Sequence, residues 1–408
     1  MNLYETLLTR GYIFQTTHEN EIKDILNNQK IHFYIGIDPT ADSLHVGHFV
    51  TAMVMSHLQK AGHVPISVIG GGTAMVGDPS GRSDIRQMLT KEQIQHNSNC
   101  IKSQLSKFIS FENGKGHLVN NSEWLLDLNY VTFLRNYGSH FSVNRMITAD
   151  AYKNRLEKGL TFLEFNYQIM QAYDFLELSR RYNCILQIGG SDQWSNIISG
   201  VELIRRVEQK NAYGLTLSLL VSSTGQKMGK TAKGALWLDK DKTSPYEFYQ
   251  YFRNVDDESV INCLKLLTFV DNEIINELAI LKGKNINKAK ILLAYEVTKL
   301  IHGEEEANSA QDATKNLFEN IQTSQSAMPT IYIEEDLLNN GYDVISLLIK
   351  SELCKSRTEA KRLILQNGIK IDNTLIESEA QNITLKDFTN DHIIIQKGKK
   401  TFCKIVVT

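Results

Sequence analysis

The apolar positions of this chain fall into two alternating patterns. Short, nearly continuous runs rich in isoleucine, valine and aromatic residues are separated by stretches in which apolar residues recur at helical spacing. Ile31-His32-Phe33-Tyr34-Ile35-Gly36-Ile37 reads as a buried strand, and Val64–Ile69, His117–Asn120, Cys184–Ile188 and Gly214–Val221 read as further strands. Gly36 and Pro39 are expected to bend the chain where the first run ends. A helix from Leu44 onward links the first run to the second. Strand, helix and strand within about 40 residues make the repeating unit of a parallel sheet. Lys91–Phe108, Leu160–Tyr182 and Asn196–Val207 are amphipathic and predict helices. Residues 1–30 read as two short helices, with Leu3, Leu7 and Leu8 on one face and Ile22, Ile25 and Leu26 on another. From Thr243 to about Phe318 the pattern stays helical, opened by the aromatic cluster Tyr246, Phe248, Tyr249, Tyr251 and Phe252. Ser324–Thr330 is small, polar and interrupted by proline, so a linker is expected there. After it, Val344–Leu348 and Thr358–Leu365 predict helices, Asn367-Gly368 a turn, and Ile369–Ile371 and Ile393–Ile395 strands. The fold class is α/β. A doubly wound parallel sheet with a helical insertion fills residues 1–220, and a loop and helical domain fills 221–325. A linker follows over 326–340, and a small α+β domain over 341–408.

Composition narrows the class. A chain of 408 residues with 42% hydrophobic and 22% charged residues is an ordinary soluble globular protein of two or three domains. Its net charge of -2 gives no overall attraction to nucleic acid or membrane, so any such surface must be a local patch. The five cysteines are scattered without a Cys-x-x-Cys pair, which argues against a zinc site or a disulfide framework and fits a reducing, cytoplasmic setting. No signal-peptide pattern opens the chain, and no apolar run approaches the roughly 20 residues that span a bilayer.

The candidate chemistry sits at the ends of the strand runs. In Asp38-Pro39-Thr40-Ala41-Asp42-Ser43-Leu44-His45-Val46-Gly47-His48, Ser43 is expected to cap the helix, and His45 and His48 lie three apart on one helix face. Gly47 removes a side chain where a large ligand would approach. Unpaired backbone N–H groups at such a helix start suit the triphosphate and ribose of a nucleotide. Two surface histidines and a packing glycine would look the same in isolation. Gly70-Gly71-Gly72 ends the second run, with Asp78 at the carboxyl edge of the sheet, and Arg82 and Arg86 follow on a polar segment. Gly189-Gly190-Ser191-Asp192-Gln193-Trp194 repeats the strand-to-turn pattern, and two such turns can clasp a nucleotide. Tyr167, Gln171 and Asp174 form one helical stripe, fit either for a pocket around a polar aromatic ligand or for the core rim. Lys227-Met228-Gly229-Lys230-Thr231 lies in a polar loop whose two lysines can converge on a polyphosphate. From Lys350 onward there are eleven Lys/Arg against seven Asp/Glu. They cluster at Lys355, Arg357, Lys361 and Arg362 and again at Lys397, Lys399 and Lys400, which suggests contact with a phosphate backbone.

Together, and in this order, the motifs resemble those of class I aminoacyl-tRNA synthetases, and within them the bacterial-type tyrosyl-tRNA synthetases. The resemblance spans nearly the whole chain. It rests on Tyr34–Ala41, His45-Val46-Gly47-His48, Gly77–Arg82, Gln187–Trp194, Lys227–Thr231 and Thr243–Tyr249. It implies a Rossmann-like catalytic domain that activates L-tyrosine with ATP and then charges the 3′ end of tRNA(Tyr). Thr40 and His45 would meet the departing phosphates. Gly36, Asp38, Gly47, His48, Gly190, Asp192 and Gln193 would line the ATP site. Lys227, Lys230 and Thr231, with Arg82 and Arg86, would close over pyrophosphate. Tyr34 and Asp174 would bond the phenol hydroxyl. Asp78, Tyr167 and Gln171 would hold the ammonium group, with Gln187 in the same pocket. Mg²⁺ would arrive with ATP, without a dedicated set of protein ligands. The terminal domain would bind RNA, and the enzyme would be a homodimer. A tryptophan-specific relative lacks the Tyr34/Asp174 pair and the basic tail, and an RNA-binding protein without catalysis would show eroded motifs. Three positions depart from common family residues: Gly229, Arg82 and Ile35.

Overall fold

Six strands form the central sheet: β1 (Ile13–Thr16), β2 (His32–Ile37), β3 (Val64–Ile69), β4 (His117–Asn120), β5 (Cys184–Gly190) and β6 (Tyr213–Leu217). This computed structural model describes residues 2–408 apart from 79–88, 149–151, 153–155, 157–158, 232–233, 320–328, 340, 373, 389–391 and 399–400. The strand order is β1-β6-β5-β2-β3-β4, parallel throughout except that β1 runs antiparallel to β6. Connections from β2 lead outward to β3 and β4, and those from β5 lead the other way. The order therefore reverses between β2 and β5, the switch point where open α/β sheets have their ligand crevice, at the carboxyl ends of the two strands. The apolar runs follow from this position. All six residues of β3 are buried, and Phe33, Tyr34 and Ile35 of β2 are 0–2% exposed.

The sequence pattern missed β1. Its end residues are half-buried and its two middle residues exposed on the edge of the sheet, so no continuous apolar run marks them. Gly36 does not end its strand either: β2 passes through it to Ile37, and Gly36 pairs with Val68 of β3. The long helix Phe162–Tyr182 begins with a capping box between Thr161 and Glu164 and ends at Asn183 in the left-handed region, with φ at 51°.

Helices Pro245–Arg253, Val260–Leu267, Asn272–Ala279 and Asn287–His302 complete this region. Arg10, only 4% exposed, aims its guanidinium at the carboxyl end of the second of them. It donates to the carbonyls of Lys265 at 3.0 Å and Thr268 at 2.7 Å, and to that of Val270. The Tyr12 hydroxyl donates to Leu266 O at 3.0 Å. A cation at helix-terminal carbonyls meets both the orphan acceptors and the negative end of the helix dipole.

The chain divides into two compact units, Met1–Ile301 and His302–Thr408. The second holds helix Glu304–Glu319 and a five-stranded sheet. In sheet order the strands are Thr374–Leu375, Ile369–Ile371, His392–Lys397, Thr401–Val407 and Thr330–Ile333, with helices Val344–Lys350 and Arg357–Leu365 nearby in sequence. Thr330–Ile333 pairs parallel with Lys404–Val407, so this part of the expected linker is an edge strand of the terminal domain. The rest of the Ser324–Thr330 stretch up to residue 328 lies outside the described residues.

Candidate functional site

At the end of β2 the chain turns through Pro39 and Thr40 and enters helix Val46–Lys60. His45, not Ser43, is its cap. Gly47 N–H donates to His45 Nδ1 at 3.0 Å, and His45 N–H donates to His48 Nδ1 at 3.2 Å. The two rings lie 4.0 Å apart between centroids. Accepting at Nδ1 puts the proton of each neutral ring on Nε2, so both rings are donors at that atom. Ser43 misses the cap because its hydroxyl is used elsewhere, donating to Leu44 O at 2.8 Å and accepting from Asp239 N–H at 3.3 Å. Gly47 is exposed, and a Cβ there would lie 2.6 Å from His45 Cε1. Gly36 is exposed with no neighbour within 4 Å of a Cβ, leaving the floor above β2 open. Thr40 is exposed beside it.

Behind this surface runs a buried polar chain. Tyr167 Oη donates to Asp38 Oδ2 at 3.1 Å, and Thr73 Oγ1 donates to Asp38 Oδ1 at 3.0 Å. Asn121 Nδ2 donates to Thr73 Oγ1 at 3.0 Å and to Asp174 Oδ2 at 2.9 Å, and Trp124 Nε1 donates to Asp174 Oδ1 at 2.7 Å. The carboxylate of Asp38, a residue expected at ATP, is held by this inner network. Neither Asn121 nor Trp124 stood out in the sequence. Gly70 admits the network, since a Cβ there would lie 2.2 Å from Asp38 Oδ1. The glycines at 70–72 are thus approached by the chain's own side chains.

Asp174 is 4% exposed, and burial pushes its carboxyl up to about 7, against the partial relief of the Asn121 and Trp124 hydrogen bonds. Among the described residues the buried Tyr34 hydroxyl has no hydrogen-bond partner of good geometry; burial followed by the charge of Asp174 raises its pKa, against a smaller lowering by the nearby Gln171 side chain. An unpaired buried hydroxyl beside a carboxylate is costly unless a ligand completes it.

A second network faces the first. Gln193 Nε2 donates to Asp78 Oδ2 at 2.8 Å, and Asn196 Nδ2 donates to Gln193 Oε1 at 3.1 Å and Gln171 Oε1 at 3.0 Å. Gln187 is 2% exposed, and its Oε1 has no hydrogen-bond partner among the described residues. A Cβ on Gly190 would lie 2.6 Å from Asp192 Oδ1, so the glycine admits that carboxylate. Burial raises the Asp192 pKa while the Lys227 charge opposes it.

The lysine loop crosses the start of the histidine helix. Val46 N–H donates to Leu236 O at 3.0 Å, Leu238 N–H donates to Leu44 O at 2.8 Å, and Trp237 lies edge-on to His45 at 6.0 Å. Lys227 is exposed, and Lys230–Thr231 pairs with Gly234–Ala235. The side chains of Lys230 and Thr231, and all of Arg82 and Arg86, lie outside the described residues. In the second unit Lys355, Arg357, Lys361 and Arg362 are all exposed. Arg357 pairs with Asp343 at 3.0 Å and Lys361 with Glu379 at 3.3 Å. Lys397 is turned inward to Glu359 at 2.7 Å and Leu353 O, so it does not extend the patch.

Residues 26–319 match the family described as tRNA synthetases class I (W and Y), and residues 320–405 match the tyrosine–tRNA ligase SYY-like C-terminal domain. A tyrosine–tRNA ligase of Acetivibrio thermocellus is 59% identical over 404 residues, covering 99% of each chain. The chain belongs to the class I tyrosine–tRNA ligases. A Clostridium botulinum tyrosine–tRNA ligase is 56% identical over 406 residues, covering 100% of this chain and 99% of its own. A solved structure of a C-terminally truncated mitochondrial tyrosyl-tRNA synthetase from Aspergillus nidulans aligns with a TM-score of 0.69 at 29% identity, over 78% of this chain and 94% of that one. An Archaeoglobus fulgidus tyrosyl-tRNA synthetase complexed with L-tyrosine shares the fold, with a TM-score of 0.59 at 20% identity, over 76% and 100%. Among the described residues no helix is long and apolar enough to cross a membrane.

Proposed function

We propose that the crevice between β2 and β5 makes tyrosyl-adenylate and then transfers tyrosine to the 3′-terminal ribose of tRNA(Tyr). A tyrosine carboxylate oxygen attacks the α-phosphorus of ATP, which enters with its Mg²⁺, and the bond to pyrophosphate breaks. A ribose hydroxyl then attacks the activated carbonyl, and AMP leaves. No protein nucleophile is needed. The site supplies positioning and charge where the transition state develops it. Thr40 and the Nε2 atoms of His45 and His48 take the phosphates and ribose. Gly36 and Gly47 leave room for the nucleotide, which Gly190, Asp192 and Gln193 complete. Lys227, Lys230 and Thr231, with Arg82 and Arg86, draw off pyrophosphate. Asp78, Tyr167 and Gln171 receive the ammonium group beside Gln187. The observation that carries this reading is the unpartnered Tyr34 hydroxyl next to Asp174. A substrate phenol inserted there donates to the carboxylate and accepts from Tyr34.

Several features support the rest of the reading. Tyr130 (57% exposed), Phe162 (69%) and Leu163 (46%) line an apolar cavity of about 300 Å³ open to the surface. Such a surface calls for a partner, here a second copy of the chain. All five cysteines are free thiols, which suits a cytoplasmic enzyme. The terminal unit holds tRNA through the exposed Lys355, Arg357, Lys361 and Arg362.

The test is pyrophosphate exchange into ATP with each amino acid supplied separately, run on the full chain and on a chain ended after residue 319. Both are expected to exchange with tyrosine alone, and only the full chain to charge tRNA efficiently. Exchange with another amino acid would overturn the tyrosine pocket, and full charging by the shortened chain would overturn the role of the terminal domain.

Asp174 adds a pH signature. Its folded pKa of about 7 lies above its ordinary 3.8, so the folded enzyme binds more protons than the unfolded chain between those values. Folding stability therefore falls as pH rises through that window, while the carboxylate form that accepts the phenol grows in. The specificity constant for tyrosine is expected to rise with pH and level off above about 7. Replacing Asn121 by alanine removes a donor to the ionised form and shifts the midpoint upward. A profile flat across neutrality would contradict the assignment.

A further inference from the structure

The lysine loop is gripped from one side by the helices that follow it. Ser223 N–H donates to Ser259 Oγ at 3.0 Å, and Ser223 Oγ donates to Asp256 Oδ2 at 3.2 Å. Met228 Sδ lies 3.8 Å from Cys263 Sγ, and Met228 N–H donates to Leu220 O at 2.9 Å. Gly229 is the tightest point. Its N–H donates to Tyr251 Oη at 2.8 Å, and its carbonyl accepts from Leu236 N–H at 2.7 Å. Its φ of +87° is in the left-handed region, and a Cβ there would lie 3.1 Å from Val46 Cβ. Both polar groups of this residue are therefore held, one by the helix Pro245–Arg253 and one by the strap that crosses the histidine helix. Lys227 and Lys230 flank Met228-Gly229, so the backbone that carries both lysines is fixed through how Gly229 is held.

We propose that Tyr251 is a positioning residue for adenylate formation, its hydroxyl fixing the Gly229 N–H so that Lys227 and Lys230 are presented to the phosphates. The inference rests on the reading that these lysines act on pyrophosphate. Tyr251 acts through one backbone amide. Its ring packs edge-on against Phe252 at 5.2 Å between centroids, and phenylalanine preserves that packing while removing a single oxygen.

The experiment is single-turnover kinetics on the full-length Tyr251→Phe chain, with each step followed separately. Adenylate formation is expected to slow roughly tenfold, the scale of one lost hydrogen bond expressed in the transition state. Tyrosine binding at equilibrium and transfer from preformed enzyme-bound adenylate to tRNA are expected to stay unchanged, because the loop's work ends when pyrophosphate leaves. Equal slowing of both steps would mean a general structural role and would overturn the proposal, as would no slowing at all. A Lys230→Ala chain run alongside separates two failures. If it forms adenylate at the normal rate, the reading of the lysines falls. If it is slow while Tyr251→Phe is normal, only the assignment of Tyr251 falls.

Discussion

Replacing Asp174 by alanine is expected to raise the Michaelis constant for tyrosine roughly 100-fold and to lower the preference for tyrosine over phenylalanine by a similar factor, the scale of a buried hydroxyl left without its charged partner. Tyrosine-specific synthetases are a known example of discrimination by a site built to hydrogen-bond a substrate hydroxyl. In this chain the receiving carboxylate is held at both oxygens by Trp124 at 2.7 Å and Asn121 at 2.9 Å, so it cannot turn away from the phenol. In the proposed pocket, phenylalanine leaves the Tyr34 hydroxyl without a partner and gives Asp174 no donor in place of the substrate phenol. Alanine at 174 removes that penalty and orphans the two donors instead, at about 1–3 kcal/mol each. Against a stability of about 5–15 kcal/mol, that loss leaves the enzyme folded but measurably weaker to denaturant. Steady-state kinetics with both amino acids decides the matter: an unchanged constant for tyrosine would remove Asp174 from the pocket.

The second large effect is expected from Gly47→Ala. The new methyl carbon would sit 2.6 Å from His45 Cε1 and 2.8 Å from Nδ1, so the ring must leave its place. The helix then loses its cap, worth about 1 kcal/mol, and the His45 ring loses the Gly47 N–H that sets its tautomer. In the proposed site both histidines donate toward the phosphates, and removing a preorganised donor of that kind costs on the order of 100-fold in rate. Pyrophosphate exchange should fall by about that factor while tyrosine binding holds, because no tyrosine contact lies on this helix. Normal exchange by a folded Gly47→Ala chain would show that the histidine pair is dispensable.

Much of this was legible in the chain itself, for physical reasons that also explain the gaps. Strands β2, β3 and β5 are buried on both faces and therefore read as unbroken apolar runs. Edge strand β1 is half exposed and reads as nothing in particular. The histidine and glycine motifs were visible because each needs fixed residues at fixed spacing along one helix or turn. The supports of Asp174 were not. Asn121 lies 53 residues away and Trp124 lies 50 away, and only the packing of β4 and its following turn against the long helix brings them together. The His45 cap was hidden by Ser43, which fits the usual preference better but has its hydroxyl engaged by Gln104, Leu44 and Asp239. Arg82 and Arg86 were read from the sequence and lie outside the described residues.

The buried guanidinium of Arg10 has a consequence for how the protein is born. Its three acceptor carbonyls are 255, 258 and 260 residues downstream. On the ribosome, the amino-terminal segment emerges first and waits for partners that are synthesised well over two hundred residues later. Until residue 270 has left the exit tunnel, the central sheet can form, but its outermost layer carries a charged side chain with nowhere dry to go. Completion of the Met1–Ile301 unit is therefore coupled to synthesis of nearly all of it. A shortened product ending before that point keeps the Arg10 guanidinium in water and leaves the Tyr12 hydroxyl without its Leu266 acceptor.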